Sequence, residues 1–382
     1  MHLFRCIIYK CISIKIRIKK EKYSIMKERM SNLELLRVLC MLSIVSLHFI
    51  NQCEYFRCDT LFYSCTLSFM SCFGRIACTI FIMISAYFAV DSKFSVKKLL
   101  MLWLTVVMYA VPITLVVKYA LHYPITGSEI VDVIFPVHNR PLWFASLYIL
   151  LYIFFPVMNA AIHNCKKGML EIFLVLYGIF LFAKPTIIAH DYSNYITNDY
   201  TAFVYVYIFT GYLKKYPIKL LENKRITGYA AVILYCLLSL AYGAALYVTF
   251  GNHDSSLVER LELYYAGFYT LPNFVIALCT FMFFKNINIK SSKIINTMGK
   301  TTFGIYVIHQ TPAFWQCVWF DIANPGLIYG ASNYLVAVVI AILATFIACM
   351  FVEYIRLITI VPLLNKSKLI NNVCSKLDNI CN

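Results

Sequence analysis

The sequence predicts an all-α polytopic membrane protein with ten transmembrane helices and both termini in the cytoplasm. Of its 382 residues, 61% are hydrophobic and only 14% are charged, and the mean hydropathy is +0.72. This composition is far from that of an average soluble protein. Ten apolar runs are long enough to cross about 30 Å of hydrocarbon. Lys and Arg concentrate in alternate loops between these runs, as they do on the cytoplasmic side of membranes.

The apolar runs predict helices because they are too long and too uniformly apolar for barrel strands, and lipid cannot satisfy open backbone polar groups. The ten predicted spans cover residues 35–50, 70–90, 99–121, 142–162, 169–183, 200–216, 226–250, 263–284, 301–320 and 334–364. The membrane domain is therefore predicted at 33–364. A polar cytoplasmic tail follows at 365–382 and is too short to fold alone.

The distribution of basic residues predicts the orientation. Fourteen Lys and Arg lie in one set of alternate loops and four in the other. The first set contains Lys93, Lys97, Lys98, Lys166, Lys167, Lys214, Lys215, Lys219, Lys224, Arg225, Lys285, Lys290, Lys293 and Lys300; the second contains Arg57, Arg140, Lys184 and Arg260. The richer loops are predicted to be cytoplasmic. Both termini are then cytoplasmic, which requires an even number of spans.

A basic cytoplasmic segment precedes the first span at 1–32, and nine of its first thirty residues are Lys or Arg. Such a tail can bind anionic headgroups of membrane lipids. It contains no apolar run of signal-peptide length, and Met26 and Met30 are alternative start positions. Nucleic acid is not an expected partner, because the chain has no folded basic domain of a kind that reads or stacks on bases.

Arg37, His48 and His309 are ionisable residues in membrane-length apolar runs, where charges are costly and commonly functional. Arg37 and His48 are eleven residues apart, which places them on nearly one helix face about 16 Å apart along the axis. His309 lies about 13 Å from Thr301 by helical rise, at a similar depth. Two such imidazoles favour acid–base chemistry. A structural hydrogen bond between helices is the alternative role for each histidine.

Other candidate motifs in the sequence give weaker support for a specific function. The fifteen cysteines form no CxxC pair and the chain has no HExxH motif, so no metal site is predicted. Cys53, Cys58 and Cys65 are expected in the first external loop. The sequence does not decide whether two of them form a disulfide. Gly299 to Thr302 resembles the end of a nucleotide-binding loop, but Ile294 occupies the position of its first glycine. Glu353 and Arg356, three residues apart in the last span, are expected to neutralise each other.

Four sequence blocks, in this order, resemble the acyltransferase-3 family of membrane acyltransferases. They are Asn32 and Glu34 to Arg37 through His48, FIMISAYF with Ser85, LWFASLYILLYIFFPVMN at 142–159, and GIYVIHQ ending at Gln310. The resemblance covers about 31–356. One departure is Ala86, which follows Ser85 where the family commonly has glycine.

The resemblance implies a ten-helix enzyme that moves an acyl group, usually acetyl, from cytoplasmic acyl-coenzyme A to a hydroxyl of an extracytoplasmic polysaccharide or glycolipid. Acetyl-coenzyme A is then a co-substrate. By analogy His48 is the catalytic base and Arg37 contacts the donor. His309 is the second candidate catalytic residue. Ser85 is a candidate for binding the acyl donor, with close helix packing as the alternative role. Trp143 and Arg140 are candidates for binding the acceptor, with interfacial anchoring as the alternative for Trp143.

Two other functions compete with this one. A transporter or flippase of a glycan or lipid-linked intermediate also uses intramembrane charges, but it would often show two related halves, which are not evident here. A polysaccharide polymerase or ligase would be expected to have a larger external loop. The sequence leaves open the acceptor, the acyl chain length, the oligomeric state, and the choice between direct transfer and an acyl-histidine intermediate.

Overall fold

The computed structural model describes residues 30–52, 60–127, 142–187, 199–251, 270–323 and 333–381, with single residues at 131, 133, 264, 265, 267 and 328. Within these ranges every regular element is a helix. The longer ones are α1 (Ser31–Gln52), α2 (Leu61–Ser71), α3 (Phe73–Ala89), α4 (Val96–Tyr119), α5 (Trp143–Asn164), α6 (Lys167–Ile187), α7 (Asp199–Lys215), α8 (Lys224–Gly251), α9 (Leu271–Asn286), α10 (Lys293–Gln310), α11 (Tyr334–Lys366) and α12 (Lys368–Cys381).

The protein is an integral multi-pass membrane protein. In the part of the chain described, seven helical stretches are long and apolar enough to cross a membrane: α1, α2 with α3, α4, α5, α6, α8 and α11. Helices α7, α9 and α10 overlap the other three predicted spans, but α7 and α9 have only 17 and 16 residues and α10 begins with polar turns. The count of ten and the orientation therefore remain predictions.

The second predicted span, 70–90, begins earlier than expected. Helix α2 starts at Leu61 and meets α3 at Cys72. The prediction that Cys65 lies in a loop is therefore wrong. It is a free cysteine within α2. One polar side chain of this stretch is satisfied by a neighbouring helix, since the Ser64 hydroxyl donates to the Gly243 carbonyl of α8 at 2.6 Å. Cys53 and Cys58 lie outside the described residues.

The ninth predicted span, 301–320, is not one helix. Helix α10 ends at Gln310, Thr311 is extended, and Pro312 starts the next turn, because the residue before a proline disfavours helical backbone. A π-helix then runs over Gln316–Ile322. It buries Trp319, whose indole N–H donates to the Thr345 hydroxyl at 3.1 Å.

Helix α1 is the centre of the bundle. It packs against α2, α3, α9, α10 and α11, and Leu33, Leu36, Val45 and Phe49 are all fully buried. Gly74 allows α3 to approach it, because a Cβ at this position would lie 2.4 Å from the Leu47 Cβ. Helices α6 and α8 instead present large exposed apolar side chains to the bilayer. Most residues of α1 are therefore surrounded by protein, although Leu39 is exposed.

A buried ion pair links α11 to its neighbours, as the sequence predicts. Arg356 donates from Nη2 and Nε to the two carboxylate oxygens of Glu353, each at 2.7 Å, and the Tyr109 hydroxyl of α4 donates to Glu353 Oε2 at 2.6 Å. The carboxylate lies against Gly304 of α10, where a Cβ would be 2.2 Å from its carbon. This cluster connects three helices in the interior.

The C-terminal tail is helical and packs against α4. In α12 the Asp378 carboxylate accepts from the Val96 backbone N–H at 2.6 Å, and the Asn371 side-chain oxygen accepts from Lys97 at 2.8 Å. The tail is therefore ordered by contact with the membrane domain and does not need to fold alone.

Replacing Glu353 with leucine should destabilise the protein, because it leaves the buried Arg356 guanidinium without a counter-charge. We expect Glu353→Leu to lower the free energy of unfolding by about 3–5 kcal/mol, measured by denaturation in detergent micelles. The double variant Glu353→Leu/Arg356→Met, which removes both charges, should recover most of the loss. A single variant as stable as the wild type would contradict the structural role of the pair.

Candidate functional site

One cavity of about 190 Å³ collects most of the residues that the sequence singled out. Arg37, His48, Ser85 and Trp143 all line it, with apolar walls from Met41, Ile44, Phe81, Leu102, Phe144 and Phe303. His309 lies directly behind His48, with the ring centroids 5.2 Å apart. Arg140 lies outside the described residues. Helices α1, α3, α4, α5 and α10 thus meet around a single chamber.

The two histidines form a hydrogen-bonded pair. His48 Nδ1 lies 3.0 Å from His309 Nε2, and His309 Nδ1 lies 2.6 Å from the Ile305 carbonyl oxygen. A carbonyl only accepts, so His309 Nδ1 carries a proton and donates it. With both rings neutral, His309 Nε2 is then the acceptor and His48 Nδ1 the donor. The chain of bonds leaves the other nitrogen of His48, Nε2, without a proton.

His309 is held rigidly in the protein interior. Its side chain is fully buried, and its partner Ile305 is one helical turn earlier on α10. The Trp319 ring, 6.2 Å away between centroids, closes one side, and Trp319 also packs edge-on against Phe49 of α1. This packing fixes the orientation of the imidazole that in turn orients His48.

The start of α1 is tied to two other helices, which fixes Arg37. The Asn32 amide donates to the Phe284 and Ile287 carbonyls at the end of α9, at 2.8 and 3.0 Å. The Glu34 carboxylate lies 3.7 Å from Arg37 Nη1 and packs on Gly299 of α10, where a Cβ would be 2.1 Å from Glu34 Oε2. The sequence at 299–302, which resembles the end of a nucleotide-binding loop, is thus part of helix α10. Gly299 leaves room for the Glu34 side chain.

Two hydroxyl groups extend the polar lining of the cavity. The Tyr148 hydroxyl of α5 donates to Ser85 Oγ at 3.1 Å, so the hydroxyl hydrogen of Ser85 remains to donate elsewhere. The Tyr306 hydroxyl accepts from the Phe144 backbone N–H at 3.3 Å. Ser85 therefore has a hydrogen-bonding role and is not only a small residue for packing.

Arg75 is a basic residue near the site that was not predicted from the sequence. This residue of α3 lies close enough to His48 and to Asp199 for electrostatic interaction with both. It adds a second permanent cation near the histidine pair, in addition to Arg37. An ionisable residue in a membrane-length apolar run was the available signal.

The family model described as an acyltransferase domain matches residues 30–354, a range that includes every residue lining the cavity. Comparison with curated proteins and with solved structures gave no match.

The hydrogen-bond chain predicts one tautomer for each histidine of the pair. Nitrogen NMR of histidine-labelled protein near neutral pH should show both rings protonated at Nδ1, with His48→Gln and His309→Gln used to assign the signals. In His309→Ala the His48 ring should lose its fixed tautomer, because nothing then accepts from Nδ1. A wild-type His48 signal protonated at Nε2 would contradict the pairing.

Proposed function

Because the chain belongs to the acyltransferase-3 family of membrane acyltransferases, we propose that it moves an acyl group such as acetyl from acyl-coenzyme A to a carbohydrate hydroxyl. The donor comes from the cytoplasm and the acceptor is an extracytoplasmic polysaccharide or glycolipid. His48 is the general base and Arg37 binds the donor. The single observation that carries this proposal is the hydrogen-bond chain from the Ile305 carbonyl through His309 to His48.

The unprotonated Nε2 of His48 supports the role of base. A general base needs a free lone pair within reach of the proton that it removes. The bond to His309 fixes the tautomer that keeps this lone pair free, and it stabilises the imidazolium that forms when His48 takes a proton. His309 therefore acts through His48 as a positioning residue in this proposal.

The shape of the cavity supports a donor that enters by a narrow arm. Its volume of about 190 Å³ is smaller than that of pockets that enclose whole drug-sized ligands. A pantetheine arm is thin and suits the apolar walls, whereas the nucleotide head carries several phosphate charges and would stay outside. Arg37 is always charged and its guanidinium suits phosphate. The spacing of about 16 Å between Arg37 and His48 is similar to the length of the arm.

The proposed reaction needs no metal. The acceptor hydroxyl oxygen attacks the thioester carbonyl carbon while His48 Nε2 takes the hydroxyl proton. The carbonyl oxygen becomes negative, and the free hydroxyl hydrogen of Ser85 is a candidate donor to it. The carbon–sulfur bond then breaks, and the leaving thiolate takes the proton back from His48. The products are an ester and coenzyme A.

The acceptor is proposed to approach from the end of α5 that begins at Trp143. This tryptophan lines the cavity and packs against Phe203, and a flat aromatic face suits a sugar ring. Arg140, three residues earlier in the sequence, remains a candidate for a polar contact with the acceptor. This end of α5 lies on the side that the loop charges predict to be external, from which a cell-envelope carbohydrate would approach.

The first test of the proposed function is the loss of His48. Membranes containing the wild-type protein, supplied with radiolabelled acetyl-coenzyme A, should place label in surface glycan. His48→Ala should lower this transfer at least about 100-fold, since general base catalysis contributes that much or more, while the amount of protein in the membrane is unchanged.

His163→Ala is the matched control, because His163 lies at the far end of α5 and does not line the cavity. It should transfer label normally. Normal transfer by His48→Ala would refute the catalytic assignment. A transporter or flippase would place no label in glycan even in the wild type.

A second test concerns the donor. Arg37→Gln should raise KM for acyl-coenzyme A by about 10- to 100-fold, which corresponds to the loss of one charge-assisted hydrogen bond, with a smaller change in kcat. Arg37→Lys keeps a charge beside Glu34 and should show a smaller rise. An unchanged KM in Arg37→Gln would contradict the assignment of Arg37 to the donor.

A further inference from the structure

A second, larger cavity shares no lining residue with the cavity that contains His48. It is a groove of about 630 Å³ between α8 on one side and α2, α3 and α9 on the other. Its walls are almost entirely apolar and aromatic, with Phe69, Phe73, Tyr229, Val232, Tyr235 and Phe283 prominent. Tyr229 and Val232 are 71% and 62% exposed, so the groove opens sideways toward lipid.

Two cations stand at one end of this groove. Lys224 and Arg225 line it, and both are exposed and form no ion pair with any described residue. They occupy the first turn of α8, where the helix dipole is positive and a cation is unfavourable. A negatively charged group bound there would relieve this repulsion. The charges therefore favour an anionic occupant at this end.

The length of the groove matches one leaflet of a bilayer. From Arg225 to Tyr235 along α8 the helix rises about 15 Å, which is half of a hydrocarbon core of about 30 Å. A third cavity, of about 310 Å³, shares Phe69, Phe73 and Tyr235 with the groove and extends to Ser46 of α1 and Ile342 of α11. An acyl chain that enters at Arg225 would thus remain in apolar surroundings along its length.

We propose that this groove binds an anionic phospholipid of the leaflet that the loop charges predict to be cytoplasmic. Its phosphate lies between Lys224 and Arg225 at the start of α8. One acyl chain lies along Tyr229, Val232 and Tyr235. This site is separate from the cavity that contains His48, and it does not depend on the acyl-transfer reaction.

The test uses the full chain in nanodiscs of phosphatidylcholine that contain a small fraction of phosphatidylglycerol with a photoreactive acyl chain. Crosslinked peptides should map to the groove walls on α3 and α8. Lys224→Gln/Arg225→Gln should lower labelling of these peptides about tenfold, whereas Lys166→Gln/Lys290→Gln, with the same charge change elsewhere on the predicted cytoplasmic side, should not. Val232→Trp, which fills the groove from an exposed position, should also lower labelling.

The controls separate a lipid from other occupants. Photoreactive phosphatidylcholine should label the groove much less than phosphatidylglycerol. Equal labelling by the two lipids, or labelling spread evenly over the lipid-facing helices, would overturn the proposal. Added inorganic phosphate should not reduce labelling, and competition by phosphate alone would instead assign the two cations to a free anion.

Discussion

The bond between His48 and His309 is the interaction on which the rest of the site depends. It joins α1 to α10, and the carbonyl of Ile305 fixes the direction of both hydrogen bonds in the chain. A buried imidazole without a partner would lose hydrogen-bond free energy, and an imidazole free to change tautomer would not keep one nitrogen unprotonated. The pairing meets both constraints, because His309 accepts from His48, the Ile305 carbonyl accepts from His309, and only Nε2 of His48 is left over.

The packing of α1 explains why such a pair can exist in a membrane protein. Helix α1 lies inside the bundle, its first turn is held by Asn32 and Glu34 against α9 and α10, and Gly74 brings α3 against its second half. Ionisable groups on its cavity-lining face therefore meet protein and not lipid, which lowers the cost of burying them. The same arrangement aligns Arg37 and His48 along one chamber, so a single extended ligand can contact both.

The sequence predicted where most of the helices lie, because length and apolarity decide this, and helical periodicity alone placed Arg37 and His48 on one face. The contact between His48 and His309 could not be predicted from the sequence. The two residues are 261 positions apart, and whether they touch depends on how α1 and α10 are rotated relative to each other. Hydropathy also placed the start of the second span too late, because it counts Ser64 of α2 as polar although α8 accepts the hydrogen bond from its hydroxyl. It overlooked Arg75 because one cation hardly changes the mean hydropathy of a long apolar run.

A structure with a bound donor analogue tests the central claim most directly. The complex of this protein with an acetyl-coenzyme A analogue that has methylene in place of sulfur, determined by cryo-electron microscopy, should show the acetyl carbonyl beside His48 Nε2. The phosphates should lie near Arg37. An analogue bound with its acetyl group away from the histidine pair, or a His48 ring facing hydrocarbon, would contradict the account.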